Sequence, residues 1–124
     1  MTDATQEFFE ALSARRHEPL LGSASGTLRF DLEEGGGVEH WFVGVDHGDV
    51  TVSHRRAGAD CIVRGSRSLF DEVARGEANA VAAALRGELE IRGDPALVLA
   101  FQRLFPGPPT PDQRRTAGYA RSRR

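Results

Sequence analysis

Three of the four histidines, His40, His47 and His54, are spaced by seven residues, a pattern that suggests a metal site or acid–base chemistry. The residues between them predict two strands joined by a tight turn at His47 and Gly48. In that hairpin His54 shares a face with Trp41, His40 points to the opposite face, and His47 lies in the turn. Ligands on opposite faces of one sheet cannot meet at one ion with bonds of about 2 Å, so we expect no metal there.

Other residues capable of chemistry lack the partners that catalysis needs. Cys61 is the single cysteine, and no local Cys-His signature surrounds it, so a small buried core thiol is expected. No Gly-x-Ser-x-Gly motif occurs, and the glycine run 35–37 differs from a dinucleotide-binding fingerprint. His54 could act as a base beside an apolar pocket only if a carboxylate or carbonyl oriented its ring, and the sequence does not reveal one. We therefore expect no catalytic residues and no cofactor.

The composition excludes further classes of function. The chain has 124 residues, enough for one domain, and all 16 basic residues are arginine. Without lysine there is no phosphate-binding loop of the lysine-dependent kind and no Schiff base to a cofactor. No apolar run is longer than the six residues of 80–85, which is too short to cross a membrane. The N-terminus does not resemble a signal peptide, and the lone cysteine predicts a reducing, cytoplasmic location.

Charge and proline divide the chain near residue 106. Residues 1–105 carry 11 arginines against 17 acidic residues, whereas residues 106–124 carry five arginines against one aspartate. The run 106–111 contains four of the six prolines. We therefore predict one domain over 1–106 with an N-terminal helix, followed by a flexible tail over 107–124. The tail could contact anionic membranes weakly, but five arginines with a single aromatic residue do not indicate nucleic-acid binding.

Hydrophobic periodicity predicts the elements that position these residues. The hairpin pairs Val45 with Val50, Val43 with Val52, and Trp41 with His54, all on one face. In chain order the pattern predicts a helix over 1–16, strands around 27–32, 40–45, 50–53 and 60–64, helices over about 68–76 and 77–86, a strand over 88–92 and a helix over 94–105. Consecutive strands followed by helices indicate an α+β fold, a five-stranded, mainly antiparallel sheet with helices packed on one face.

Residues 26–105 resemble the sterol carrier protein 2 (SCP-2) family of small lipid-binding domains, in its stand-alone, bacterial type. The resemblance is carried by an ordered series of short segments rather than by one motif. These segments are WFVGVDHG at 41–48, ADCIV at 59–63, GSRSLF at 65–70, RGE at 75–77 and LRGELEIRGD at 85–94, followed by Leu97.

The resemblance implies a non-catalytic carrier that holds an acyl chain, a sterol or acyl-CoA in an apolar cavity between sheet and helices. The residues that would line this cavity are Trp41, Val43, Val52, Phe70, Leu89, Ile91, Leu97 and Phe101. Periodicity alone also permits a filled core with the same residues inside. The chain ends Ser122-Arg123-Arg124, without the peroxisomal targeting tripeptide of some family members, and its proline run replaces the helix that could cover a cavity mouth.

Two other functions remain open on the sequence. The chain could be an accessory module that binds a separately encoded enzyme through an apolar groove or a sheet edge. It could also be an enzyme that acts on a lipid-like substrate with His54 as base.

Overall fold

The computed structural model describes residues 4–105, which form four α-helices and five strands. The helices are α1 (Ala4–Arg15), α2 (Arg67–Ala74), α3 (Ala80–Leu85) and α4 (Pro95–Gln102), with a short 3₁₀ turn at Pro19–Leu21. The strands are β1 (Ser25–Glu34), β2 (Gly37–Asp46), β3 (Asp49–Ser53), β4 (Cys61–Ser66) and β5 (Glu90–Gly93). The predicted tail, 107–124, lies outside the described residues. No helix among those described is long and apolar enough to cross a membrane.

The five strands form one sheet in the order β3-β2-β1-β4-β5. Only β1 and β4 run parallel, and the other three pairs are antiparallel. The connection between β1 and β4 contains the whole β2–β3 hairpin, so β4 returns to the free edge of β1. The structure thus confirms the predicted α+β fold with a mainly antiparallel sheet.

The β2–β3 hairpin has the predicted register. Val43 pairs with Val52 and Val45 with Val50. His47 and Gly48 occupy the turn with φ angles of 49° and 94°, the left-handed values that a two-residue turn of this kind requires. The local pattern therefore determined both the turn and the face on which each side chain lies.

Side-chain caps define where the later helices begin. Ser66 accepts a hydrogen bond from the Leu69 N–H at 3.1 Å, and Asp94 accepts one from the Ala96 N–H at 3.0 Å. Helix α3 is shorter than the predicted 77–86, because Asn79 caps it through the Ala82 N–H. It buries Ala80 and Ala83, whereas Leu85 is 85 % exposed.

Aromatic rings fill the space between the sheet and the helices. Phe9 of α1 lies 5.2 Å from Phe30 of β1 and 5.6 Å from Phe70 of α2, measured between ring centroids. Phe101 of α4 lies 5.2 Å from Phe30 and 5.6 Å from Phe105. These five rings are almost completely buried, so the centre of the domain is packed core.

Candidate functional site

An open groove of about 290 Å³ lies where α1 crosses the β2–β3 hairpin. Its size is at the lower end of the range of small-molecule sites. Its floor is Trp41 and Val52, two inward-facing residues of the hairpin. Polar side chains surround this apolar floor. The lining residues are Gln6, Phe9, Glu10 and Ser13 of α1 together with Glu39, Trp41, Val52, Ser53 and His54.

Trp41 is fixed between two rings. Its indole stacks on Phe9 at 4.6 Å with an interplanar angle of 12°, and His54 lies 4.1 Å away on a tilted plane. The side chain is 6 % exposed. Its Nε1 atom is buried without a hydrogen-bond acceptor among the described residues. A buried, unpaired donor costs about 1–3 kcal/mol, so this N–H is an unpaired polar group on a residue that lines the groove.

His54 is oriented by the backbone of the neighbouring strand. Its Nδ1 lies 2.9 Å from the carbonyl oxygen of His40. Because a carbonyl can only accept, Nδ1 carries the proton, and Nε2 of the neutral ring is an acceptor. His54 is exposed rather than buried in the core. The structure therefore supplies the orienting carbonyl that the sequence could not reveal.

The charged groups at the groove are mainly acidic. Glu39 is half-buried and forms an ion pair with Arg67 at the start of α2. Glu10 is exposed and accepts a hydrogen bond from Gln6 Nε2 at 2.8 Å. No arginine is among the residues that line this groove. The groove therefore offers little to neutralise an anionic group.

A second hollow continues along the seam between α1 and β3. It shares Ser13 and Val52 with the groove, has a volume of about 480 Å³, and also includes Val50. At its far end are Arg16 and the exposed pair of His17 and Asp49, whose Nδ1 and Oδ1 atoms are 2.7 Å apart. Groove and hollow adjoin each other, with Val52 lining both, and together they are called the depression below.

The eight residues proposed from the sequence do not line a single cavity. Trp41 and Val52 line the groove, and Leu97 borders a separate hollow at the start of α4. Val43, Phe70 and Phe101 are fully buried in the packed core, Leu89 is buried, and Ile91 is half-buried on β5. The expectation that all of them contact ligand stays a prediction, and the geometry favours it for Trp41 and Val52.

Sequence reasoning missed the contribution of α1. Gln6, Glu10 and Ser13 are spaced by three or four residues, which places them on one face of that helix. Phe9 lies on the same side and packs on Trp41. This spacing was a detectable signal, but only the position of α1 on the hairpin gives it meaning.

The outer face of the sheet carries a separate polar cluster. Asp31 is 5 % exposed and accepts hydrogen bonds from Arg29 at 2.9 Å and from His40 Nδ1 at 2.7 Å. Burial opposes ionisation of Asp31, but the hydrogen bonds from Arg29 and His40 outweigh it and hold the pKa of the carboxyl below its usual value. Arg29 also donates to the carbonyl of Ala57 at 2.9 Å, so the cluster fixes the β3–β4 loop.

Cys61 and the histidines are placed as the sequence predicted. Cys61 is fully buried, and burial, followed by the nearby charge of Asp94, raises the pKa of its thiol. His40 bonds Asp31 on the outer face, whereas His54 lies beside Trp41 on the inner face. Within residues 4–105, no three His, Cys, Asp or Glu side chains come together in a metal-binding arrangement.

Several solved structures share this fold. The sterol carrier protein domain 2 of Helicoverpa armigera superposes with a TM-score of 0.67 and 20 % identity, over 94 % of this chain and 90 % of that one. The palmitated SCP2L2 of Aedes aegypti gives 0.61 and 20 %, over 84 % and 94 %. A UbiJ-SCP2 ubiquinone synthesis protein gives 0.61 and 24 %, over 81 % and 90 %.

No curated protein sequence matches the chain significantly. The model of the SCP-2 sterol transfer family, in contrast, matches residues 7–106, which is most of the chain and nearly all of the described domain. The matched region includes most of α1, so it contains both walls of the groove. By its sequence and its fold, the chain belongs to the SCP-2 sterol transfer family.

Proposed function

We propose that this protein is a non-catalytic carrier of an apolar small molecule, which it holds in the depression between α1 and the β2–β3 hairpin. The observation that carries this proposal is the groove itself, with Trp41 and Val52 as its floor. Membership of a sterol transfer family supports it. The description of the Aedes aegypti relative as palmitated supports an acyl chain as one class of cargo.

The packed aromatic core directs the cargo to this edge of the domain. A ligand at the centre would have to displace Phe30, Phe70 and Phe101, which contact one another or their neighbours closely. Along the α1–β3 seam, in contrast, an acyl chain can lie over Val52 and Val50 without moving the sheet. The carrier therefore uses the seam, and α1 forms one wall of it.

Trp41, the single tryptophan, allows a direct test. Protein freed of bound lipid is titrated with a long-chain fatty acid, an acyl-CoA and a sterol while tryptophan emission is recorded. At least one ligand should change the emission, saturably and near one equivalent, because Trp41 lines the groove and a bound ligand alters the surroundings of its indole. Organic extraction of freshly purified protein, followed by mass spectrometry, should release a matching class of molecule.

Two valine variants locate the site. Val52→Ala should weaken binding, since it removes part of the groove floor, whereas Val38→Ala, on an exposed residue of β2, should not. If no ligand in the panel changes the emission and extraction releases nothing apolar, the carrier proposal is wrong.

A second candidate function is that of an accessory module for a separately encoded enzyme. The similarity to a ubiquinone synthesis protein supports it, because that protein carries the same fold in a biosynthetic setting. Leu85 of α3 and Leu99 of α4 are 85 % and 54 % exposed, and these two helices contact each other, so both leucines are candidates for contact with a partner. A stable heterocomplex that is lost in Leu85→Gln with Leu99→Gln, while ligand binding persists, would establish this function.

The third candidate, an enzyme with His54 as base, is favoured by one observation. The His40 carbonyl fixes the ring with Nε2 available to accept a proton. Turnover of a lipid ester by the purified protein, abolished in His54→Asn, would establish it. Binding of lipids without turnover would leave the carrier function.

A further inference from the structure

Two rings that line the groove, Trp41 and His54, carry one unpaired donor and one acceptor. Trp41 Nε1–H is buried and has no acceptor among the described residues. The ring of His54 lies 4.1 Å from the indole, and its Nε2 is an acceptor because Nδ1 donates to His40. A hydroxyl group is the smallest polar group that satisfies both, since it accepts one hydrogen bond and donates another.

An ionised carboxylate fits the same place poorly. It only accepts, so it could use the indole N–H but not the His54 acceptor, and it would lose most of its hydration for one hydrogen bond. Glu10 at the rim would repel the carboxylate, and Arg67 is already paired with Glu39. The one arginine of the depression, Arg16, lies in the adjoining hollow, beyond Ser13.

We propose that this site selects lipids with an uncharged hydroxyl head group, which bridges Trp41 Nε1 and His54 Nε2, over lipids that end in a carboxylate. The proposal rests on the carrier function and adds the chemistry of the head group. The chain of the ligand then runs from Trp41 over Val52 into the hollow beside Val50. Since Nε1 is covered in the structure, binding also requires the α1 side chains beside it, such as Phe9, to shift.

The test compares two probes of equal chain length, decanol and decanoate, by equilibrium dialysis at about pH 8, where the carboxyl group is ionised. Decanol should bind at least about tenfold more tightly than decanoate, a difference of about 1.4 kcal/mol. If decanoate binds as tightly as decanol or more tightly, the head-group proposal is overturned while the carrier proposal stands. If neither probe nor any member of the fluorescence panel binds, both proposals fail.

Two substitutions then assign the hydrogen bonds. Trp41→Phe keeps a ring against Phe9 but removes the N–H, and it should lower the affinity for decanol about threefold to tenfold with little effect on decanoate. His54→Asn keeps a donor for the His40 carbonyl but removes the Nε2 acceptor. It should likewise lower the affinity for decanol with little effect on decanoate. His47→Asn, in the exposed turn, is the matched control and should change neither affinity.

Glu10 and Arg16 test the charge argument. Glu10→Gln should strengthen decanoate binding about twofold at low salt and leave decanol binding unchanged. Glu7→Gln, on the same helix outside the groove, should change neither affinity. A loss of decanoate affinity in Arg16→Gln, together with tight decanoate binding to the unaltered protein, would place an anionic head in the hollow and contradict the proposal. If Trp41→Phe does not fold, the decanol–decanoate comparison and His54→Asn decide the question.

Discussion

At the scale of single residues, Asp31 on the outer face of the sheet is linked by hydrogen bonds to the groove on the inner face. It holds Arg29 and His40 on the outer face, and Arg29 in turn holds the β3–β4 loop through Ala57. The backbone carbonyl of His40 orients His54 at the groove. Asp31 is therefore connected to the candidate site through two hydrogen bonds and the intervening backbone.

Replacing Asp31 by asparagine should destabilise the fold by about 2–3 kcal/mol, because two half-buried donors, Arg29 and His40, lose a charged acceptor. Since the pKa of Asp31 is lower in the folded than in the unfolded protein, its contribution is present above the unfolded pKa of about 3.9. That contribution is lost as the pH falls through the lower folded pKa. Urea unfolding at several pH values measures both effects.

The stability difference between the wild-type protein and Asp31→Asn should therefore shrink below about pH 4. Asp46→Asn is the control, because the Asp46 side chain is 82 % exposed in the turn, and it should change stability by less than about 0.5 kcal/mol. A difference between Asp31→Asn and the wild-type protein that does not depend on pH would contradict the role of the charge.

At the scale of secondary-structure elements, α1 and α4 divide the inner face of the sheet between site and core. Helix α4 places Phe101 against Phe30 and Phe105 and fills the central space. Helix α1 contributes Phe9 to the same core but turns Gln6, Glu10 and Ser13 towards the hairpin. Phe101 of α4 therefore belongs to the core alone, whereas α1 contributes both to the core and to the lining of the groove.

This division predicts opposite results for stability and binding when Phe101 is truncated. Phe101→Ala should cost about 3–5 kcal/mol, the loss typical of a fully buried phenylalanine, and should leave the affinity of the remaining folded protein for groove ligands unchanged. Thermal and urea unfolding give the first quantity, and dialysis below the melting temperature gives the second. Leu99→Ala, on the exposed face of the same helix, is the control.

A smaller cost for Phe101→Ala, of about 1–2 kcal/mol, combined with altered ligand affinity, would contradict the packed core. It would mean that Phe101 borders a cavity that ligand fills in solution, as the resemblance to lipid carriers first suggested.

At the scale of the whole molecule, core packing extends to Phe105, the last residue that the structure describes. Phe105 is 8 % exposed and packs against Phe8, Phe70 and Phe101, so the chain is still part of the core one residue before the proline run. The family match ends at residue 106, at the same place.

Removal of residues 107–124 should therefore leave the melting temperature within about 2 °C of the full chain. Truncation after residue 100, which also removes Phe101 and Phe105, should prevent folding and serves as the contrasting variant. A loss of several degrees on removal of the tail alone would show that the tail packs on the body. If the tail contacts anionic membranes, its removal should weaken vesicle binding at low salt only.

Several features of this protein could be determined from the sequence alone. The hairpin register follows from alternation and from a turn at His47-Gly48, both of which are local, so Trp41 and His54 had to share one face and His40 the other. The family follows from the order of short segments, each of which encodes a turn, a cap or a strand. These features depend on residues close together in the chain, and periodicity reports them directly.

Only the tertiary structure determined where empty space remains. The inward residues Val43, Phe70 and Phe101 have the same periodicity whether they border a cavity or fill a core. In the structure all three are buried, and contacts between aromatic rings fill the space between sheet and helices. The groove exists because α1 crosses β2 and β3, which are distant from it in sequence, and its volume is set by how the side chains of two separate elements pack. Periodicity assigns a side chain to a face, but the volume left between two faces depends on non-local packing.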